Sequence, residues 1–144
     1  MSRFVPDASV AVKWYVPEIH ADAAARLLDP VHELHAPDLI LPEFGNILWK
    51  KIGRGEVPAD KARKIIRAFL TVPLLKHPAA PLLEPAFETA NGTGQTVYDC
   101  VYLALSVALA CRMVTADQKF YQALKPGPLG SSLVWVEDLL DQKA

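Results

Sequence analysis

The chain has 144 residues, of which 51% are hydrophobic and 22% charged, and its formal net charge is −1. This length and apolar content suffice for one hydrophobic core, and the near-zero charge excludes a strongly basic nucleic-acid binder and a disordered acidic tail. Because the sequence contains no repeat, low-complexity segment or linker, we expect residues 1–144 to form a single domain.

The first half of the sequence alternates strand and helix patterns. It predicts a strand over 3–5, a helix from about Ser9, an alanine-rich helix over 20–28, a strand over 33–36 and a helix over 41–52. Gly53 and Gly55 end the last of these helices.

The second half continues the alternation. After Pro58 comes a helix with Ala62, Ile65, Ile66 and Phe69 on its apolar side. Next we expect a strand over 74–77, helices over 81–91 and 97–111, a strand over 112–115, a helix over 118–124 and a strand over 133–136. Residues 92–94 form a loop, and Thr96 is a good N-cap. Strands that alternate with helices indicate an α/β fold, a parallel sheet with helices on both faces.

The apolar segments and the cysteines indicate the cellular compartment of the protein. No N-terminal stretch has the features of a signal peptide, and the longest apolar run, 101–111, is interrupted by Ser106 and too short to span a bilayer. Cys100 and Cys111 lie on one predicted helix about 16 Å apart, so they cannot pair with each other. We therefore predict reduced core thiols in a cytoplasmic protein without a membrane partner.

Four acidic residues fall near predicted strand ends and helix starts. Asp7 follows the first strand, Asp117 follows the strand 112–115, and Asp99 and Glu43 each lie in the first turn of a helix. Ligands of parallel sheets bind outside the carboxyl ends of the strands, so these acids can converge on one edge.

Each acid also has a purely local explanation. Asp7 and Asp117 suit the N-cap of the helix that follows each of them, and the helix dipole favours Asp99 in a first turn. Glu43 shares a polar stripe with Asn46 and Lys50, which is typical of a solvated helix face. Taken singly, none of the four identifies a site.

Convergence would change the chemistry of these acids. Two carboxylates about 5 Å apart repel by roughly 3 kcal/mol at an effective dielectric constant of 20. A hard divalent cation with oxygen ligands relieves this repulsion, whereas no Cys/His pattern suggests zinc. Such an ion, Mg²⁺ or Mn²⁺, suits phosphodiester hydrolysis because it activates water and stabilises charge on the phosphate.

Four motifs in order resemble those of PIN-domain proteins, especially VapC-type toxins of type II toxin–antitoxin pairs. They are PDASVAVKW at 6–14, LPEFGNILW at 41–49, YDCVYLAL at 98–105 and VTADQKF at 114–120. Two positions fit less well: Pro6 removes a backbone donor from the first strand, and Cys100 stands where Ala is common. The resemblance covers essentially the whole chain and implies a three-layer α/β/α PIN-like domain with a central, mostly parallel sheet.

The resemblance also implies roles for individual residues. It makes Asp7, Glu43, Asp99 and Asp117 the metal-binding and catalytic acids, with Glu43 acting through water or at a second, weaker site. It places Ser9, Asn46 and Thr115 in support of them, where a hydroxyl or amide can orient a carboxylate. Their other interpretations stay open: Ser9 as an N-cap, Asn46 as a surface residue and Thr115 as an ordinary strand residue.

The expected activity is in-line hydrolysis of RNA by water activated at the bound ion. No histidine is needed as the base, and we expect His20, His32, His35 and His77 to be surface or loop residues. Seven of the 15 basic residues lie between positions 50 and 67. This stretch is either a solvated helical hairpin or a strip that contacts RNA phosphates, with these candidates: Lys50, Lys51, Arg54, Arg63, Lys64 and Arg67.

Other classes fit less well. A haloacid-dehalogenase-type phosphatase needs a second Asp where Ser9 stands, and a receiver domain needs an acidic pair that Asp7 lacks. A non-catalytic RNA-binding or protein-interaction PIN module is the main alternative, and cleavage of DNA is also open. The resemblance implies a homodimer and a cognate antitoxin as partners. Trp14, Tyr15 and Trp49 are either contact residues for these partners or core residues.

Overall fold

A computed structural model of the chain describes residues 2–141. Within these residues it has five strands: β1 (Ser2–Pro6), β2 (His32–Pro37), β3 (Leu74–His77), β4 (Arg112–Thr115) and β5 (Leu133–Trp135). The same part of the chain has seven α-helices: α1 (Ala8–Ala11), α2 (Ala21–Ala25), α3 (Ile40–Gly53), α4 (Ala59–Phe69), α5 (Ala80–Thr93), α6 (Val97–Ala108) and α7 (Gln118–Leu124). Short 3₁₀ segments extend α1 and α2 and flank β5.

The five strands form one parallel sheet in the order β3-β2-β1-β4-β5. The predicted α/β class is therefore confirmed, with a central parallel sheet between layers of helices. Strand β1 lies in the middle and pairs through Pro6 with Val114 of β4. Although Pro6 has no N–H, the next amide, that of Asp7, donates to the Val114 carbonyl at 3.0 Å. The proline thus leaves the pairing of β1 intact and the end of β1 lies beside the end of β4.

One apolar cluster, running from Phe4 to Leu139, fills the space between sheet and helices. Helix α6 is its central helix: it contacts β1, β2 and β4, packs along α5, and buries Tyr102 and Leu103 almost completely. This confirms the prediction from its nearly uniform apolar sequence. Its burial fixes the first turn of α6, which carries Asp99, relative to the sheet.

Several predicted boundaries were wrong for local reasons. The helix from Ser9 is a four-residue α-helix followed by a 3₁₀ turn over Val12–Trp14. Helix α6 ends at Ala108 rather than 111, because Ala110 adopts φ 53° and the amide of Cys111 donates to the carbonyl of Ser106. This is a Schellman ending with alanine in place of the usual glycine.

In the middle of the chain, helix α5 is longer than predicted, and one residue predicted on the apolar side of α4 is exposed. Helix α5 includes Pro85 and extends to Thr93, with Gly94 at φ 76° as its C-cap. On α4, Ile66 is 38% exposed and lies off the buried side. Strand β5 stops one residue early, at Trp135.

The histidines correct another prediction, because His35 is buried within β2 rather than on the surface. Its Nδ1 lies 2.9 Å from Nε2 of His77 on β3, and its Nε2 lies 2.7 Å from Glu33. The β2–β3 register brings these side chains together across 42 residues of sequence. These hydrogen-bond partners satisfy the ring nitrogens of His35, which is buried in the sheet.

The predictions about membrane spans and thiols concern the helices and the two cysteines, of which Cys100 lies on α6 and Cys111 lies beyond its end. Across residues 2–141 the helices are all too short or too polar to cross a membrane. Cys100 is buried, Cys111 is half-buried, and both are free thiols.

Candidate active site

Asp7 stands at the carboxyl end of β1, where the chain turns into α1. Its side chain is 5% exposed. Oδ1 accepts the amide of Val10 at 3.1 Å, as an N-cap does, and also the Ser9 hydroxyl at 2.6 Å. Oδ2 accepts the Thr115 hydroxyl from the neighbouring strand at 2.6 Å. A cap alone explains the first bond but not the two hydroxyls, so Asp7 is held in one orientation by Ser9 from α1 and Thr115 from the end of β4.

The same two hydroxyls organise the loop after β4. Ser9 Oγ accepts the amide of Ala116 at 3.2 Å, and Thr115 Oγ1 accepts the amide of Asp117 at 3.1 Å. Asp117 in turn caps α7 by accepting the amide of Phe120 at 3.1 Å, and it remains exposed. The adjacent ends of β1 and β4 therefore place Asp7 and Asp117 at one edge of the sheet, as expected for neighbouring parallel strands.

Asp99 enters this edge from the first turn of α6. Thr96 caps that helix: its Oγ1 accepts the Asp99 amide and donates to Asp99 Oδ2, both at 3.1 Å. Thr96 is therefore both the N-cap of α6 and a donor that orients the Asp99 carboxylate. The half-buried carboxylate is thus held at a helix N-terminus, where the dipole favours negative charge.

Glu43 approaches from the first turn of α3 and is held by Tyr102, a residue that the sequence motifs did not mark as functional. The Tyr102 hydroxyl donates to Glu43 Oε1 at 2.5 Å, and the tyrosine itself is 1% exposed. Glu43 is half-buried, so it is not simply a member of a solvated stripe. Tyr102 follows Asp99 by three residues on α6, and this helical spacing was the only sequence signal for it.

The electrostatics show that these acids act on one another. Burial raises the pKa of Asp7 to about 6, and the charge of Asp99 adds to the increase. The hydrogen bonds from Ser9 and Thr115 lower this pKa, but by less than burial raises it. Burial and the Asp99 charge also raise the pKa of Glu43. Burial and the charge of Asp117 raise the pKa of Asp99. Asp99 is therefore the centre to which the other three acids are electrostatically coupled.

The bond between Tyr102 and Glu43 leads to a first prediction. In Tyr102→Phe, Glu43 loses a donor to its charged form, so its pKa rises further. We expect RNA cleavage to fall about tenfold or more, the usual effect of removing a group that orients a site carboxylate. An NMR titration of the Glu43 carboxyl gives the pKa, and Tyr121→Phe, at an aromatic contact with Trp135, is the matched control. An unchanged Glu43 titration would contradict this role for Tyr102.

The donor set fits a hard divalent cation in its chemistry. Asp7, Glu43, Asp99 and Asp117 offer only oxygen ligands. The raised pKa values of Asp7, Glu43 and Asp99 reflect burial and repulsion between carboxylates, which a cation would relieve. Within residues 2–141, however, no three His, Cys, Asp or Glu side chains are already grouped so that they could hold an ion. The acids are gathered and coupled, but each is engaged by the hydroxyl or amide groups described above.

The remaining predicted site residues are less closely placed. Asn46 is exposed and lines an open groove with Glu43 and Lys50, while the bond that Glu43 accepts comes from Tyr102. Lys51 binds Glu18 at 2.7 Å with a side chain only 12% exposed, so it does not fit the basic strip.

The other basic candidates lie on α3, in the turn after it and on α4. Arg63 on α4 pairs with Asp60 at 2.7 Å, and Arg54 lies 3.9 Å from Glu56. Lys50, Lys64 and Arg67 are exposed. The basic side chains thus belong to α3, the turn after it and α4, and Lys50 is the one that lines the groove beside Glu43.

The fold and the site together define an α/β/α domain that gathers carboxylates at the carboxyl edge of its parallel sheet. The chain belongs to the PIN-domain family, whose model matches residues 4–125, and within it to the VapC group. It is similar to Ribonuclease VapC3 of Pyrobaculum aerophilum, with 34% identity over 81% of this chain and 91% of the relative. It is also similar to Ribonuclease VapC9 of Mycobacterium tuberculosis, with 30% identity over 78% of this chain and 84% of the relative.

Solved structures share the fold. PAE2754 of Pyrobaculum aerophilum superposes with a TM-score of 0.70 at 22% identity, over 98% of this chain and 91% of that one. VapC20 of Mycobacterium tuberculosis, a toxin that cleaves the sarcin–ricin loop, gives 0.63 at 18% identity, over 85% and 95%. VapBC2 of Rickettsia felis, bound to a promoter DNA fragment, gives 0.61 at 13% identity, over 92% and 96%.

Proposed function

We propose that this protein is a divalent-metal-dependent endoribonuclease and the toxin of a toxin–antitoxin pair. The observation that carries the proposal is the coupling of four carboxylates, from β1, α3, α6 and the loop after β4, around Asp99. Raised pKa values of Asp7, Glu43 and Asp99, caused by burial and repulsion between carboxylates, are unfavourable for folding alone and are typical of a functional site. The named ribonucleases among its relatives support RNA as the substrate.

In this proposal Asp7, Asp99 and Asp117 hold Mg²⁺ or Mn²⁺ directly and Glu43 contributes through water. When bound, the ion supplies positive charge that activates water and stabilises the phosphate oxygens during hydrolysis. Ser9 and Thr115 fix the orientation of Asp7, and Thr96 does the same for Asp99. Tyr102 favours the ionised form of Glu43 by donating to its carboxylate.

The assembly and setting of the protein belong to the same proposal. We propose one domain over residues 1–144, supported by an apolar cluster from Phe4 to Leu139, and a cytoplasmic setting, supported by two free thiols. We also propose a homodimer and a cognate antitoxin as partners, in view of the VapBC2 neighbour. Trp49, which is 68% exposed on α3, is a candidate contact residue, whereas Trp14 and Tyr15 pack on Phe69.

Cleavage of total RNA by the purified chain tests the proposal. We expect cleavage with Mg²⁺ or Mn²⁺, none with EDTA, and a loss of at least about 100-fold in Asp99→Asn, because a ligand matters at least as much as the groups that support it. Asp138→Asn replaces an exposed acid outside the site and should cleave normally.

Two other results of this experiment would change the proposed activity or its substrate. Metal-independent RNA binding without cleavage would contradict the nuclease and favour a non-catalytic RNA-binding module. Cleavage of single-stranded DNA at the same rate as RNA would show that the site does not read the 2′-hydroxyl.

A further inference from the structure

An open groove of about 620 Å³ lies beside the acidic site, between α3 and the start of α6. Glu43 lines its inner side and therefore belongs to both the groove and the acid cluster. The lining is largely apolar, and its polar groups are few: Glu43, Asn46 and Lys50 along α3, and Tyr98 from α6.

Tyr98 is the most unusual part of this lining. It is 63% exposed, although Tyr102, one turn further along the same helix, is 1% exposed. Tyr98 therefore adds little to the core. It lines the same groove as Glu43, which is one of the acids coupled to Asp99.

We infer that this groove is a nucleotide subsite that stacks one unpaired RNA base on Tyr98, next to the phosphate that is cleaved. The inference rests on the proposed function and names the form of its substrate. An exposed aromatic ring in a largely apolar groove can stack on the face of a base, and Lys50 matches the charge of the adjoining phosphate. The amide of Asn46 can donate to and accept from a base edge.

This chemistry selects single-stranded RNA as the occupant. In a duplex each base is stacked on its neighbours and its face is covered, so Tyr98 could not reach it. In a loop or an unpaired segment the base can turn out onto the ring. The substrate is thus expected to be cut in loops or single-stranded segments. One base beside the cut is expected to contribute to the rate of cleavage.

Abasic substitution combined with variants of Tyr98 tests the inference. An RNA oligonucleotide that the parent protein cuts is remade with an abasic nucleotide at each position flanking the cut. At one of these positions we expect kcat/KM of the parent to fall about tenfold, within the range for stacking on an aromatic side chain. Tyr98→Leu should lose about the same factor on the normal RNA and show no further loss on the abasic RNA.

The controls separate stacking from folding. Tyr98→Phe keeps the ring and should behave as the parent does. Phe87→Leu changes a 55% exposed aromatic on α5 that does not line the groove, and it should leave cleavage unchanged. Lys50→Gln should reduce the slope of log affinity against log salt by about one, the effect of losing one phosphate contact.

The outcomes that would overturn the inference are distinct from failure of the proposed function. If the parent cuts RNA and Tyr98→Leu keeps both its rate and its sensitivity to the abasic position, the groove is not a base subsite. If Tyr98→Leu weakens only the complex with the antitoxin, the groove is a protein-docking surface and the inference is wrong. A parent chain that cuts no RNA with either metal would overturn the proposed function and this inference together.

Discussion

Asp7→Asn is expected to abolish RNA cleavage and at the same time to stabilise the folded protein at pH 7.5. The carboxylate is buried, and burial raises its pKa from 3.8 to about 6. At 1.36 kcal/mol per pKa unit, keeping it ionised in the folded state costs about 3 kcal/mol. Asparagine can still cap α1, and the Ser9 and Thr115 hydroxyls can accept as well as donate hydrogen bonds. We expect a net gain of about 1–3 kcal/mol in the free energy of unfolding.

The pH dependence of this gain identifies its origin. Below pH 3.8 Asp7 is neutral in both the folded and the unfolded chain, so its charge has no effect on stability. Between pH 3.8 and about 6 only the unfolded chain ionises, so the wild type becomes less stable as the pH rises. Above about 6 the penalty is constant. The advantage of Asp7→Asn should therefore be full at pH 7.5 and disappear as the pH falls below 4.

Urea unfolding at several pH values, without added metal, measures this difference. In thermal scans it should correspond to about 2–4 °C per kcal/mol for a chain near this size. Asp138→Asn is the control, because its exposed carboxyl should show no comparable pH-dependent gain. A variant that is inactive but less stable than the wild type at pH 7.5 would contradict the burial penalty and indicate that Asp7 serves mainly the fold.

The second large effect is on the pH profile of cleavage at limiting metal concentration. A carboxylate must be ionised to bind a cation, so protonation of Asp7 competes with the metal. With a pKa of about 6, we expect protonation of Asp7 alone to lower the rate about tenfold per pH unit below 6. Because the pKa values of Glu43 and Asp99 are also raised, the fall should be steeper than for one proton.

Metal concentration provides the decisive comparison. Raising Mg²⁺ or Mn²⁺ should move the midpoint of the profile to lower pH, because the metal displaces the protons. Circular dichroism across the same range separates inactivation from unfolding, since protonation of Asp7 by itself removes a destabilising charge. A rate that is constant down to pH 4.5, or a midpoint that does not respond to metal, would contradict the assignment of Asp7 as a ligand.

Much of this molecule was determined by signals within a few residues of sequence. The apolar pattern of α6 predicted its burial, Thr96 and Asp99 predicted its start, and the segments 112–115 and 118–124 were predicted at their observed bounds. These features depend on side-chain period and capping, which act over one or two helical turns. Placing Asp7 and Asp117 at one edge needed only the rule that parallel strands end together.

The tertiary structure alone decided which side chains engage those acids. Thr115 reaches Asp7 across 108 residues and Tyr102 reaches Glu43 across 59. Likewise, it decided that Lys51 binds Glu18 rather than standing free on the basic strip, and that His35 is buried against His77. These outcomes depend on strand order and on how helices pack on the sheet, which no local pattern specifies. The four motifs therefore marked the four acids as candidates, whereas their coupling through Asp99 and the position of Tyr98 in the groove with Glu43 arise from the way α3 and α6 meet the sheet.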